Sequence, residues 1–214
     1  MSTRLRLTVC ALAATLTGAA AQAAFVTNGS FEQNNVTGGT GFCYLSPACV
    51  LTGWSGNAVA IGAASGAWGG PSAPAGYVYG SQLVGLQQGS YVEQALALTP
   101  GSYTLGWADS GRQFYGAAQY QVLFDNQVLG SYATQPGEAW GVNNLSFTAA
   151  GPGTLRFQGI FLNADTTAFI DGVNLTANRV PEPAALGLVA LALGGALFNA
   201  RRRRTTGSPA RHGG

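Results

Sequence analysis

The side chains able to do chemistry are few, and their distribution is uneven. Of ten arginines, Arg4, Arg6, Arg179, Arg201 to Arg204 and Arg211 lie in or beside the termini, and there is no lysine. Between residues 24 and 178 only Arg112 and Arg156 face seven acids, Glu32, Glu93, Asp109, Asp125, Glu138, Asp165 and Asp171, for a net charge of about −5. The one histidine, His212, lies near the C-terminus. Residues 24–178 therefore hold no histidine-based triad and no lysine nucleophile. No motif singles out a carboxylate pair of the kind that cleaves glycosidic bonds, so the chain is not expected to be an enzyme. A nucleic-acid partner would need a basic stripe, and none is present. Cys43 and Cys49 stand close together in FCYLSPAC, with Cys10 far away. An even pair at that spacing predicts a disulfide in an oxidising compartment, and without a histidine nearby a zinc tetrahedron has no nitrogen ligand.

What remains is chemistry of recognition. A sugar ring is held by a flat aromatic face together with polar groups that satisfy its hydroxyls. Trp68, Tyr77 and Tyr79 around a glycine- and proline-rich stretch, Phe114 and Tyr115 in GRQFYG, and Trp140 could supply the rings, with Asp109 and Arg112 as polar contacts. Loop position favours Trp68, Tyr115 and Trp140. Trp54 and Trp107 are better read as core, an ion pair within a loop is the alternative for Asp109 with Arg112, and Tyr79 alternates with Val78 as in any strand.

The elements that must position these residues are strands. Short stretches alternating with period two, punctuated by glycine, predict strands near 25–32, 57–62, 76–80, 90–98, 102–109, 117–124, 127–132, 142–148, 153–161 and 167–176. Tyr103, Leu105 and Trp107 share one face of their strand, Asp125-Asn126 is a hairpin turn, and Pro100-Gly101 and Pro152-Gly153 mark two more. With no amphipathic helix between them, such strands imply an all-β fold, an antiparallel β-sandwich. The irregular stretches 33–53 and 63–75 are the long loops.

The termini carry addresses. Arg4 and Arg6 precede an apolar run, Leu7 to Ala21, closed by Ala21-Gln22-Ala23, the pattern of a signal peptide over residues 1–23. At the other end an uncharged segment, 184–200, would span about 25 Å as a helix, the short end of a membrane crossing. Arg201, Arg202, Arg203 and Arg204 would keep the end beyond it cytoplasmic. Val180-Pro181-Glu182-Pro183, a short glycine-containing apolar helix and an arginine cluster resemble the PEP-CTERM sorting signal of Gram-negative bacteria. That resemblance covers residues 179–204, leaves 205–214 as a disordered cytoplasmic tail, and implies as partners the secretion machinery and an exosortase that processes the Pro-Glu-Pro element. The product would be an inner-membrane-anchored precursor, then a protein of the cell surface or extracellular matrix. Pro181 and Pro183 keep residues 180–183 extended and open to a protease.

Residues 24–178 open on Phe25-Val26-Thr27-Asn28-Gly29-Ser30-Phe31-Glu32, continue through Gly53-Trp54 and Tyr91-Val92-Glu93-Gln94, and close on Phe169-Ile170-Asp171-Gly172-Val173-Asn174-Leu175-Thr176. Together these resemble the galactose-binding-like jelly rolls that include many carbohydrate-binding modules. The resemblance implies that the first and last strands lie side by side with a structural calcium between Glu32 and Asp171, although Gly172 stands where a second acid is common. It also implies polysaccharide as the partner, and the resemblance of the tail to a sorting signal usual in bacteria that make exopolysaccharide points to exopolysaccharide. A surface or biofilm protein with no discrete ligand is the alternative.

Overall fold

The computed structural model describes residues 25–68 and 80–178. The signal peptide, the sorting signal with its apolar segment, and Tyr77 and Tyr79 lie outside these residues. The strands are β1 Phe42–Tyr44, β2 Ser55–Gly56, β3 Val59–Gly62, β4 Gln82–Gln87, β5 Tyr91–Leu96, β6 Gly101–Gly111, β7 Ala118–Phe124, β8 Gln127–Thr134, β9 Gly141–Ala149, β10 Gly153–Gly159 and β11 Thr167–Ala177. The one helical element among the described residues is a 3-10 turn, Gly66–Trp68, and no helix there is long and apolar enough to cross a membrane.

Two antiparallel sheets face each other. Sheet I has the order β1-β3-β4-β11-β6-β9 and sheet II the order β2-β5-β10-β7-β8, which makes the expected β-sandwich. Every β6 side chain at an odd position from 103 to 109 turns inward, because successive residues of a strand point to opposite faces. Tyr103, Leu105 and Trp107 are accordingly buried. Trp107 meets Tyr132 and Phe157 of sheet II edge-on, at 4.9 and 5.6 Å. Its indole N–H donates to the Tyr120 hydroxyl (2.8 Å), which donates to Asp109 Oδ2 (2.6 Å). Burial, and then the Asp109 charge, push the Tyr120 phenol well above its ordinary range, and burial and the same charge raise Tyr132.

Turn chemistry follows the sequence closely. Asp125 and Asn126 both have positive φ, 49° and 63°, the left-handed pair that a two-residue hairpin between right-twisted strands requires. Strands β6 and β10 start at Gly101 and Gly153, directly after the two prolines. Cys43 and Cys49 are bonded, with Cα atoms 6.2 Å apart.

Several strand expectations change. Residues 25–32 form a chain of bends rather than a strand, with Asn28 and Phe31 at positive φ. Side chains replace the ladder there: Gln94 accepts from Thr27 N–H (2.7 Å) and donates to the carbonyls of Thr27 and Gly53 (2.8 Å each). Asn28 donates to Thr52 O and accepts from Gln33 N–H. The opening segment still lies beside the last strand, since Val173 N–H donates to Gly29 O (2.8 Å). Strands β1 and β4 were not anticipated. β4 is buried at five of its six positions, so its apolar residues do not alternate with polar ones and carry no period-two signal.

Candidate functional site

β6 sets the site by parity. Its inner residues end at Asp109, while Ala108, Ser110 and Arg112 face outward, so Asp109 and Arg112 point to opposite sides of the sheet. They form no pair. Asp109 is buried between the sheets under Tyr120, and it is not a ligand contact as expected from the sequence. Arg112 turns onto the outer face of sheet I.

That outer face is apolar where Arg112 meets it. Val59 and Ile61 of β3, Leu83 of β4 and Phe169 of β11 form a second cluster separate from the sandwich interior, closed by Trp68 and with half-buried Trp140 packed against it. Trp68 is only 3 % exposed. It is a lid over this cluster, not a sugar platform, because the turn Gly66–Trp68 lays the indole down on the sheet. Arg112 lies over the Trp68 ring (4.3 Å to the centroid) and over the Tyr115 ring (3.6 Å). Cation–π contacts of this kind contribute about 0.5–2 kcal/mol each, more when desolvated. Its guanidinium also bonds Ala67 O (3.3 Å) and Asp165 Oδ1 (3.3 Å).

Asp165 extends the polar chain. Gln87 Nε2 donates to Asp165 Oδ1 (3.3 Å), and the Tyr44 hydroxyl donates to Gln87 Oε1 (2.8 Å). Tyr44, Gln87, Asp165 and Arg112 thus form one continuous run across β1, β4, the loop before β11 and the end of β6. Beside it Phe42 packs edge-on against Trp68 (5.5 Å) and near Tyr44 (6.3 Å). Phe42 and Tyr44 are 44 % and 49 % exposed, and Tyr115 is 38 % exposed. Four buried polar atoms in this neighbourhood, Arg112 Nε, Trp68 Nε1, Ser65 Oγ and Thr167 Oγ1, have no hydrogen-bond partner. Such a concentration is unusual in a packed protein and suits ordered water. Chemically the patch offers exposed aromatic rings, a half-exposed carboxylate and an amide on a rigid sheet. It holds no nucleophile activated by a base.

Of the residues selected from the sequence, the structure brings Trp68, Arg112, Tyr115 and Trp140 to one place. Phe42, Tyr44, Gln87 and Asp165 were missed. The alternation of Phe42 and Tyr44 around a disulfide cysteine could have drawn attention to the first two, but nothing local marks Gln87 or Asp165.

Glu32 and Asp171 have other work. The Glu32 carboxylate accepts from Ser81 N–H (2.8 Å), Ser81 Oγ (3.1 Å) and Gln82 N–H (2.6 Å), fastening the start of β4. Asp171 is fully buried and accepts from Gly172 N–H (2.6 Å) at a β-bulge between Asp171 and Asn174. That extra residue switches the inward side from Ala168 and Ile170 to Val173 and Leu175. Calcium takes six to eight oxygens. Among the described residues no group of three or more histidine, cysteine, aspartate or glutamate side chains could hold a metal ion. A calcium between Glu32 and Asp171, as the family resemblance implies, would therefore draw most of its oxygens from backbone carbonyls.

No protein-family model matches the chain, and no curated protein does. Solved structures resemble it distantly. A family 35 carbohydrate-binding module from Clostridium thermocellum is 20 % identical with a TM-score of 0.39, over 49 % of this chain and 83 % of that one. A family 61 module in complex with β-1,4-galactotriose is 16 % identical with a TM-score of 0.39, over 72 % and 99 %. A family 36 module in complex with calcium and xylotriose is 17 % identical with a TM-score of 0.35, over 44 % and 79 %. Likeness of this degree assigns no residue a role.

Proposed function

We propose that the chain is an exported, exosortase-sorted protein of the cell surface or extracellular matrix whose β-sandwich binds polysaccharide through the patch formed by Phe42, Tyr44, Tyr115, Gln87 and Asp165. The observation that carries this reading is the hydrogen-bonded run from Tyr44 to Arg112 set beside exposed rings. Rings supply the apolar face that a sugar stacks on, and the carboxylate and amide supply acceptors and a donor for its hydroxyls. Arg112 is the positioning residue, buried and holding Tyr115 and Asp165 in register. With about −5 net charge on residues 24–178, a neutral polysaccharide is favoured over an acidic one.

Affinity electrophoresis of the purified chain through gels containing the host's exopolysaccharide, xylan, galactan or β-glucan tests the reading. Retardation by at least one neutral polymer, lost in Tyr115→Ala and in Asp165→Asn, is the expected result. Absence of retardation in all gels would replace it with a structural matrix protein that has no discrete ligand. The sorting proposal has its own test: mass spectrometry of mature protein from the host should find Arg201 to Arg204 removed, and an intact tail would refute it.

A further inference from the structure

The four edge strands of the sandwich are not equally guarded. β1 is three residues long and β2 only two, and β8 is distorted where its register with β7 shifts between Val122 and Leu123. Short strands and bulges are the usual means by which an edge is kept from pairing with another chain. β9 has neither. It runs nine residues, pairs with β6 in unbroken register from Gly101↔Ala149 to Asp109↔Gly141, and among the described residues no strand lies on its other side. Residues 139–151 contain no charge and no proline, although residues 24–178 as a whole are acidic. Val142 is 70 % exposed.

We infer that β9 is a self-association edge and that its occupant is a second copy of this chain, paired antiparallel about a two-fold axis through Leu145. An antiparallel strand pair about such an axis is self-complementary by symmetry, and this sequence fits the register. On the outer face Asn144 meets Ser146 of the partner subunit, twice, and Val142 meets Thr148 of the partner subunit, twice. On the inner face half-buried Leu145 meets its own counterpart. No pair sets like charges opposite each other, the arrangement that destabilises cross-strand pairs.

The pairing would join two outer faces that are already alike. Ser102, Thr104, Ser146 and Asn178 are linked by side-chain hydrogen bonds of 2.9–3.1 Å, giving an uncharged hydroxyl and amide surface that continues across the dyad. The two aromatic patches, each level with the Gly141 end of its own β9 but set towards β1 across β6, β11 and β4, would then lie far apart on one twelve-stranded sheet. Their separation along the strand direction is about 27 Å at 3.4 Å per residue. Two sites on one rigid sheet bind a long polymer more tightly than either alone.

Sedimentation equilibrium of the purified chain between about 1 and 100 µM tests the inference without any polysaccharide. Wild type should sediment as a dimer. Asn144→Lys with Ser146→Lys, which places two lysine pairs directly opposite across the dyad, should raise the dissociation constant at least tenfold, while Val128→Lys on the β8 edge should leave it unchanged. A monomeric wild type overturns the inference, and so does a dimer that survives the double substitution. Should the double variant fail to fold, amide hydrogen exchange of wild type decides: protection of β9 that rises with protein concentration supports the pairing, and protection independent of concentration refutes it.

Discussion

Replacing Arg112 separates packing from charge at the candidate site. In Arg112→Ala the chain loses two ring contacts at about 1 kcal/mol each and roughly two methylenes of buried stem at about 0.8 kcal/mol each. The Asp165 ion pair adds little, because Asp165 is 45 % exposed and can be rehydrated; exposed pairs contribute about 0–1 kcal/mol. The expected loss is about 4 kcal/mol, which for a domain of this size lowers the melting temperature by about 8–16 °C. Arg112→Lys keeps the charge and most of the stem but not the flat group between rings, so about half that loss is expected. Urea denaturation followed by tryptophan fluorescence measures both. A double-mutant cycle with Tyr115→Ala should return a coupling near 1 kcal/mol. A loss below about 0.5 kcal/mol for Arg112→Ala, or equal losses for alanine and lysine, would refute the account of Arg112 as a guanidinium-specific clamp.

Tyr120→Phe leaves Trp107 N–H and the buried Asp109 without their shared partner and should cost about 1–3 kcal/mol, read by the same denaturation. Because the folded-state phenol is raised above its unfolded value near 10, wild type should hold its full stability below about pH 10 and lose it as pH rises further, with Tyr120 ionising at 295 nm only on unfolding; a phenol that titrates normally in the native state would contradict this. Reducing Cys43–Cys49 should cost about 2 kcal/mol by the chain-entropy relation for so short a loop, and loosening β1 should weaken retention by polysaccharide through Tyr44. Calcium and chelator should leave the melting temperature unchanged, whereas Glu32→Ala, which strips the start of β4 of its acceptor, should lower stability by about 1–3 kcal/mol; a rise in melting temperature of several degrees with calcium would restore the metal site.

Much of this protein is decided locally and is therefore written in the chain. Alternation alone turns Tyr103, Leu105 and Trp107 to one face, the Asp125-Asn126 pair alone specifies the left-handed hairpin turn, and two cysteines six residues apart need little beyond an oxidising compartment to bond. The opening segment was misread because its polar and apolar residues mimic a strand, while its hydrogen bonds go to Gln94, Asn28 and Val173, the first and last far away in the sequence. The site itself needed the tertiary structure. Trp68 and Tyr115 look alike in the sequence, both aromatic and both in glycine-rich loops, yet the first is laid down over Val59, Ile61, Leu83 and Phe169 and the second stays half-open above Arg112. Asp109 stands three residues from Arg112 and never meets it, since an odd separation puts them on opposite faces. Asp165, fifty-three residues away, does meet it, because β11 lies between β4 and β6. Which strands are neighbours is a property of the whole packed sandwich, and burial and pairing across it carry no local signature for a sequence to display.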